Sequence, residues 1–192
     1  MAGSAAKPHQ PESELSAPSD KAPSPRPGQD ILVEDLPGLI RPGQRLLGMD
    51  LGDKTIGLAL SDVECRIATP MKTLPRRKFR EDAVDLFALI DKFDIGALVM
   101  GLPLNMDGSS GPRVQATRTF ARNIRNISAI PILFWDERLS TVAAERVLIS
   151  ADLSRQKRAA VIDATAAAFI LQGVLDRFRD LRQKKASGEP EA

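Results

Sequence analysis

The chain has very few of the side chains on which most hydrolases and metal sites depend. Its 192 residues include one histidine, one cysteine, one tryptophan and no tyrosine. The histidine, His9, lies among prolines and polar residues, which argues against Ser-His-Asp and Cys-His hydrolases because both need an imidazole beside the nucleophile. Zinc of the Cys/His type needs four nitrogen or sulfur ligands, and Cys65 and His9 cannot supply them. Catalysis is left to carboxylates, hydroxyls, basic side chains and a hard metal ion that carboxylates can hold.

Other absences bear on the location of the protein. A single cysteine forbids an internal disulfide, which fits a reducing compartment. No segment approaches the roughly 18 apolar residues of a membrane-spanning helix. The N-terminal residues 1–4 do not begin a signal peptide. We therefore expect a cytoplasmic protein without membrane contact.

Composition divides the chain into three parts. Eight of the 14 prolines precede residue 44, and up to about residue 29 the apolar surface is too small to offset ordering. We predict a disordered extension over residues 1–43, one domain over 44–185 and a disordered tail over 186–192, although the apolar residues 31–33 and 36–40 could dock onto the domain. Without the extension the net charge of +2 becomes +4, a modest preference for an anionic partner.

Hydrophobic periodicity predicts a mixed α/β fold. Three strands forming an antiparallel meander are followed by helix, strand, helix, strand and two helices. The predicted strands cover about residues 45–51, 55–61, 66–74, 96–102 and 130–135. The predicted helices cover about residues 80–93, 140–150 and 159–184, with another that starts at Pro112 and turns Thr117, Phe120, Ala121, Ile124 and Ile127 inward.

Asp163 is unusual because it falls inside the apolar stripe of the last predicted helix. At 3.6 residues per turn, the same face carries Ala166, Ala167, Ile170, Val174 and Leu181. An unpartnered buried carboxylate costs of the order of several kcal/mol, so this residue needs a basic group, backbone donors or a metal ion. An ion pair with Arg158 or Arg138 is the structural alternative.

Asp50 and Glu137 lie at the ends of predicted strands. Asp50 ends an apolar strand and is followed by Gly52, Lys54 and Gly57. In sheets with parallel strands, ligands collect outside the carboxyl ends of the strands. Two acids from strand ends and Asp163 from a packed helix could therefore converge on one point. Alternatively, Asp50 caps the turn at Gly52 and Glu137 belongs to a surface ion-pair cluster.

Three carboxylates gathered at one point repel one another unless a cation compensates. With histidine and cysteine excluded, the cation that suits oxygen ligands is Mg²⁺ or Mn²⁺. The dominant use of such a site is phosphodiester hydrolysis, with metal ions about 3.5–4 Å apart where two are bound.

Basic residues offer a matching surface for phosphates. Arg118, Arg122 and Arg125 form one stripe on the helix that starts at Pro112, and further basic residues occur over 76–80, 155–158 and 184–185. Each cluster alone is most often a solvated face. Beside a carboxylate and metal site, they favour contacts to a nucleic-acid backbone that do not discriminate sequence.

Four motifs, in order, resemble the YqgF family. They are Leu47–Gly52 with Lys54 and Gly57, Gly101–Gly108 (Gly-Leu-Pro-Leu-Asn-Met-Asp-Gly), Asp136–Thr141 (Asp-Glu-Arg-Leu-Ser-Thr), and Asp163-Ala164 with Ala166-Ala167. The family comprises ribonuclease-H-like proteins described as nucleases of pre-16S ribosomal RNA, and earlier as Holliday junction resolvases. The match covers about residues 45–182.

The resemblance implies a five-stranded mixed sheet of order 3-2-1-4-5, with strand 2 antiparallel, flanked by helices. It implies Asp50, Glu137 and Asp163 as the metal-binding catalytic acids, with Mg²⁺ or Mn²⁺ as the cofactor. Glu137 gains this role from its motif more than from its spacing. Lys54, Asn105, Arg138 and Arg158 are candidate substrate contacts. The expected activity is metal-dependent hydrolysis at the 5′ end of pre-16S ribosomal RNA.

Several alternatives remain open at this point. Holliday junction resolution would take branched DNA and would need a dimer, whereas the sequence itself is compatible with a monomer or a weak homodimer. A ribosome-assembly factor that binds RNA without cleaving it is another alternative, although a binder has no need to gather three acids. The turn after Asp50 also resembles the phosphate-binding turn of actin-like ATPases and sugar kinases, but those proteins need two such domains.

Overall fold

A mixed β-sheet is the centre of the computed structural model, which describes residues 30–105, 107–137 and 155–187, with the backbone alone for 155–161, 185 and 186. Its strands are β1 (Asp30–Ile31), β2 (Arg45–Leu51), β3 (Thr55–Ser61), β4 (Ala68–Pro75), β5 (Ile95–Leu102) and β6 (Ile132–Asp136). The helices are α1 (Leu36–Leu39), α2 (Phe79–Phe93), α3 (Pro112–Arg125) and α4 (Arg155–Ser187). In these ranges no helix has the length and apolar character needed to cross a membrane.

The strands lie across the sheet in the order β1-β6-β5-β2-β3-β4. Strand β3 is antiparallel to β2 and β4, while β5 is parallel to β2 and to β6. The five long strands thus have the predicted order 3-2-1-4-5 with the second strand antiparallel, and the predicted α/β class is confirmed. The predicted number of five strands is wrong by one, because β1 pairs with β6 through Asp30 and Ile31.

The segment over residues 30–40 belongs to the fold, although the predicted disordered extension runs to residue 43. Ile31, Val33 and Leu36 are buried in the core under α4. An ion pair joins Asp30 to Arg125. The segment orders because the edge of β6 accepts β1 as a further strand and the apolar side chains follow it into the core. Residues 1–29 and 188–192, also predicted to be disordered, lie outside the described residues.

The sheet separates two apolar layers. On one face α4 packs over the central strands, and on the other face the buried residues of α2 and α3 form the second core. Helix α4 approaches the sheet closely because the residues below it are small. A Cβ on Gly48 would lie 2.7 Å from Leu171 Cβ and 2.8 Å from the Ala167 carbonyl oxygen. This close approach brings the N-terminal half of α4 over β2 and β3.

Most predicted helices agree with the structure within a few residues, and the exceptions are local. The buried face of α3 contains four of the five residues predicted to point inward, namely Thr117, Phe120, Ala121 and Ile124. The prediction is wrong for Ile127, which is 58% exposed because the helix ends at Arg125. The short helix predicted over residues 140–150 lies outside the described part of the chain.

Candidate functional site

Asp50 lies in the central strand, one residue before β2 ends. It is 6% exposed, which is rare for an ionisable side chain. Its cross-strand partner on β3 is Gly57. Residues paired in this way have their side chains on the same face of the sheet, and Gly57 faces α4. Asp50 therefore points to the layer of α4.

Gly57 brings Asp163 over the sheet beside Asp50. A Cβ on Gly57 would lie 2.0 Å from the Asp163 carbonyl oxygen and 3.0 Å from the Asp163 Cβ, so only glycine allows this approach. Paired residues on neighbouring strands have Cβ positions about 4.5–5.5 Å apart. The Cβ atoms of Asp50 and Asp163 are consequently no more than about 8.5 Å apart. Two of the three predicted acids are thus neighbours on one face.

A second glycine leaves room for Glu137, which follows β6 directly. The Oε1 atom of Glu137 is buried, and it would lie 2.6 Å from a Cβ on Gly101. Met49 of β2 pairs with Met100 of the parallel strand β5. The next residues on these strands, Asp50 and Gly101, therefore lie side by side. Neighbouring strands are about 4.8 Å apart. Asp50 therefore lies between two glycines, and each glycine makes room for another acid.

The donor chemistry of this face suits a hard divalent cation. The three acids offer carboxylate oxygens, the ligands that Mg²⁺ and Mn²⁺ prefer. Across residues 30–105, 107–137 and 155–187, however, no three or more acidic, histidine or cysteine side chains stand close enough together to hold one metal ion. The residues fit the cation in chemistry and in the face they share, without forming a closed set of ligands.

Comparison with known families assigns the chain to one of them. The model of the RuvX family, described as Holliday junction resolvase, matches residues 44–177, and these contain all three acids. The chain belongs to the RuvX family. This is also the YqgF family, so the resemblance seen in the four motifs is confirmed.

Named relatives and solved structures are similar to this chain over most of its length. A protein of Methylocella silvestris named "Putative pre-16S rRNA nuclease" is 64% identical over 147 residues, which cover 77% of this chain and 91% of that protein. A protein of the same name from Rhizobium rhizogenes is 56% identical over 151 residues, with 79% and 92% covered. Among solved structures, Thermus thermophilus RuvC in complex with a Holliday junction substrate aligns with a TM-score of 0.45 and 11% identity over 70% of this chain and 95% of that one. The yeast mitochondrial Holliday junction resolvase aligns with a TM-score of 0.36 and 16% identity, covering 79% and 88%.

In this RuvX protein a hydroxyl group holds the Asp163 carboxylate. Thr55 Oγ1 donates a hydrogen bond to Asp163 Oδ2 at 2.7 Å. Thr55 begins β3, two residues before Gly57, so both residues face α4. The strand therefore contacts Asp163 twice, at its main chain through Gly57 and at its carboxylate through Thr55.

The turn between β2 and β3 presents Lys54 at the same end of the sheet. Lys54 is exposed. The backbone of the turn closes through a hydrogen bond from the Gly52 N–H to the Thr55 carbonyl oxygen, 2.9 Å. Arg76, the residue after β4, holds this turn. Its backbone N–H donates to the Lys54 carbonyl oxygen at 2.8 Å, and its Nη1 donates to the Gly52 carbonyl oxygen at 2.7 Å. Arg76 is therefore a brace for the turn, whereas Lys54 extends into solvent.

Asn105 closes the loop between β5 and α3. Its Nδ2 donates to Ser109 Oγ at 2.8 Å, and its carbonyl oxygen accepts from the Gly108 N–H at 2.8 Å. The residue is exposed, so its side chain orders the loop and remains accessible. Of the other predicted substrate contacts, Arg138 lies outside the described residues, and for Arg158 only the backbone within α4 is described.

The structure separates the basic residues into engaged and accessible groups. Arg77 pairs with Asp85 and lies 3.7 Å from Glu81 and from the buried Asp82. On α3, Arg125 pairs with Asp30 and lies over the ring of Phe134. Arg118 also lies over the Phe134 ring, but both it and Arg122 are exposed, and no described acid forms an ion pair with either. The basic stripe predicted on α3 is thus only partly available to phosphates.

Two ionisable groups with shifted pKa values lie away from the acids, near the other end of β3. Burial raises the pKa of the Cys65 thiol above its ordinary value of 9.0, which keeps this buried thiol protonated. Burial also tends to raise the pKa of Asp62, but backbone N–H groups, chiefly that of Ile67, outweigh it and lower the pKa below 3.8. Both shifts belong to the structure of the β3–β4 connection.

Sequence reasoning missed Thr55 and Arg76. Thr55 meets a residue 108 positions away, and no local pattern announces such a contact. The basic run over residues 76–80 gives no sign that the Arg76 guanidinium donates to the backbone of a neighbouring turn. The glycines inside the strands could have indicated where α4 lies against the sheet, since a strand glycine often marks a close approach of another backbone.

Proposed function

We propose that this protein is a metal-dependent nuclease that hydrolyses phosphodiester bonds at the 5′ end of precursor 16S ribosomal RNA. Asp50, Glu137 and Asp163 are its catalytic acids and bind Mg²⁺ or Mn²⁺. The observation that carries the proposal is the position of Asp50 between Gly57 and Gly101, each of which gives room to another acid on the same face. A structural role for Asp50 alone would not need these two approaches.

Each acid has a distinct support in this mechanism. Asp50 is fixed by the central strand, Asp163 by α4 and Thr55, and Glu137 by the end of β6 against Gly101. Together the three carboxylates attract a divalent cation that no single one of them would bind firmly. When bound, the cation supplies activation of water and stabilisation of the leaving oxygen. Lys54 neutralises charge on the phosphate from the neighbouring turn.

The proposed substrate is an RNA precursor because similar proteins are named as pre-16S rRNA nucleases. The alignment with this chain covers about nine-tenths of each of them. Contacts to its backbone come from Lys54, Asn105, Arg138 and Arg158. Such contacts position a chain without discriminating its sequence. This function would place the protein in the cytoplasm, and a monomer or a weak homodimer suffices for cleavage of one strand.

Resolution of Holliday junctions is the second candidate, and the description of the matching family favours it. A four-way junction has two equivalent strands to cut, so this activity requires a symmetric dimer. Junction resolution and RNA processing are therefore distinguished by both the substrate and the oligomeric state.

The test compares the full-length protein, with Mg²⁺ or Mn²⁺, on an RNA containing the 5′ leader of pre-16S rRNA and on a four-way DNA junction. We expect cleavage of the RNA, its loss on chelation, and its loss in Asp50→Asn. The matched control is Asp91→Asn, which removes one exposed carboxylate from α2 and should leave cleavage unchanged.

Three outcomes would overturn the proposal. Symmetric cleavage of the junction without cleavage of the RNA would make the protein a resolvase. Tight binding of the RNA without cleavage would make it a binding factor. Unchanged metal-dependent cleavage by Asp50→Asn would show that Asp50, the acid on which the proposal rests, has no part in the mechanism.

A further inference from the structure

Thr55 is the described residue that contacts the Asp163 carboxylate, and its chemistry suits a specific task. An ionised carboxylate can only accept hydrogen bonds, so the hydroxyl must be the donor. At 2.7 Å the bond has the usual length for a hydroxyl donor. It engages Oδ2 of Asp163, and Oδ1 accepts no hydrogen bond from the described side chains or backbone.

Thr55 is itself held firmly. Its β-branched side chain has few rotamers, and its carbonyl oxygen accepts the Gly52 N–H at 2.9 Å. The turn that precedes it is braced by Arg76 at two carbonyl oxygens. The hydroxyl therefore has a fixed position relative to β2, the strand that carries Asp50.

The hydrogen bond from Thr55 also determines the direction in which the Asp163 carboxylate points. The main chain of Asp163 rests on Gly57, whereas its carboxylate reaches Thr55, two residues closer to the start of β3. Because β3 is antiparallel to β2, the start of β3 lies beside the end of β2. Asp50 pairs with Gly57 and is level with the Asp163 main chain, so the hydroxyl draws the carboxylate past Asp50 towards the end of the sheet where Glu137 follows β6.

We infer that Thr55 is a positioning residue, which orients the Asp163 carboxylate so that its Oδ1 faces the divalent cation. The inference rests on the proposed function, since it assigns Asp163 to the cation. Residues that hold metal ligands from behind typically alter metal affinity 10- to 100-fold when they are changed. Neither composition nor motif assigns any role to this hydroxyl.

The experiment removes the hydroxyl while keeping the shape of the side chain. Thr55→Val is nearly isosteric, Thr55→Ser restores the hydroxyl, and Thr69→Val makes the same change at an exposed position of β4. Binding of Mn²⁺ to the full-length protein is followed by quenching of the only tryptophan. Trp135 lies two residues before Glu137 on the strand whose end carries that acid. Cleavage kinetics on the RNA provide the second readout.

We expect Thr55→Val to weaken Mn²⁺ binding about ten-fold and to lower kcat by a similar factor with little change in KM. Thr55→Ser should recover both to within about two-fold of wild type, and Thr69→Val should match wild type. Wild-type Mn²⁺ affinity and kcat in Thr55→Val would overturn the inference, as would failure of Thr55→Ser to recover either quantity.

The same titration separates this inference from the function on which it rests. Wild type and Asp163→Asn decide the function, because a cation held by Asp163 must bind more weakly when that carboxylate is removed. If the two bind Mn²⁺ equally, the metal assignment is wrong and the inference is overturned with it. If Asp163→Asn binds Mn²⁺ more weakly than wild type while Thr55→Val binds it as wild type does, the proposed function stands and only the role of Thr55 is wrong.

Discussion

The two ends of β3 hold acidic residues in contrasting ways. At its far end, Asp62 Oδ1 accepts hydrogen bonds from the backbone N–H groups of Arg66, 2.6 Å, and Ile67, 3.0 Å. At its near end, the Asp163 carboxylate accepts one hydrogen bond from the described residues, that of the Thr55 hydroxyl. One acid is enclosed by donors from its own turn, and the other is held by a single donor from a distant strand.

The difference shows how an acid that serves the fold differs from one available to a ligand. Donors four and five residues away close the turn around Asp62 and lower its pKa, although burial opposes them. The charge of such an acid is already stabilised by hydrogen bonds from its own backbone. Asp163 is placed by glycine packing and oriented at one oxygen, which leaves the other for a cation.

The largest expected difference between the two ends of β3 is in cleavage, when Asp163 and Asp62 are each replaced by asparagine. Asp163→Asn should lower cleavage about 1,000-fold, because the loss of cation-stabilised charge in the transition state is worth several kcal/mol. Asp62→Asn should leave cleavage unchanged. The measurement is kcat/KM on the RNA under saturating Mg²⁺, and equal activity of the two variants would erase the distinction between the two ends of β3.

Gly57 tests whether the placement of Asp163 depends on close packing. In Gly57→Ala the new methyl group meets the Asp163 carbonyl oxygen, so α4 must shift. We expect unfolding to become easier by about 3 kcal/mol, or roughly 10 °C in Tm, with a large loss of cleavage. Calorimetry measures the first quantity and kinetics the second.

The matched control for that substitution is Gly38→Ala in α1. No atom lies within 4 Å of the position its Cβ would take, and alanine is the better helix former. Gly38→Ala should therefore keep or slightly raise Tm and leave cleavage unchanged. A Gly57→Ala protein with the stability and activity of wild type would contradict the packing account.

The smallest expected effect is the pH dependence that Asp62 contributes to stability. Because its pKa is lowered in the folded protein, folding is favoured above the ordinary value of 3.8 and this contribution is lost as the pH falls through the lowered value. Urea unfolding of wild type and Asp62→Asn should differ by less than about 1 kcal/mol at pH 7, since the hydrogen bonds of this half-buried group lie at the protein surface. The difference should vanish at strongly acidic pH, and a difference that persists there would show that ionisation of Asp62 has no part in it.

The sequence predicted the strands and singled out Asp50 and Asp163 because both leave local traces, whereas the order of the strands in the sheet came only from the family resemblance. Apolar runs and their periods mark the strands, and Asp163 interrupts an apolar helical face. Glu137 needed the family motif, since a charged triplet after a strand has several explanations. The edge strand at Asp30 escaped prediction because two residues gain their structure from an open sheet edge, which no local pattern reports.

Contacts between distant segments account for what was missed at the site. The Thr55 hydroxyl and the Arg76 guanidinium act on partners 108 and 24 residues away. Such pairs become visible only when the strands and α4 have been brought together.

The most direct test of the central claim is anomalous diffraction from crystals of the full-length protein soaked in Mn²⁺. The account predicts a peak coordinated by carboxylate oxygens of Asp50, Glu137 and Asp163, with the Thr55 hydroxyl still bonded to Asp163. A peak at any other group of acids, or none at these three in saturating Mn²⁺, would contradict it.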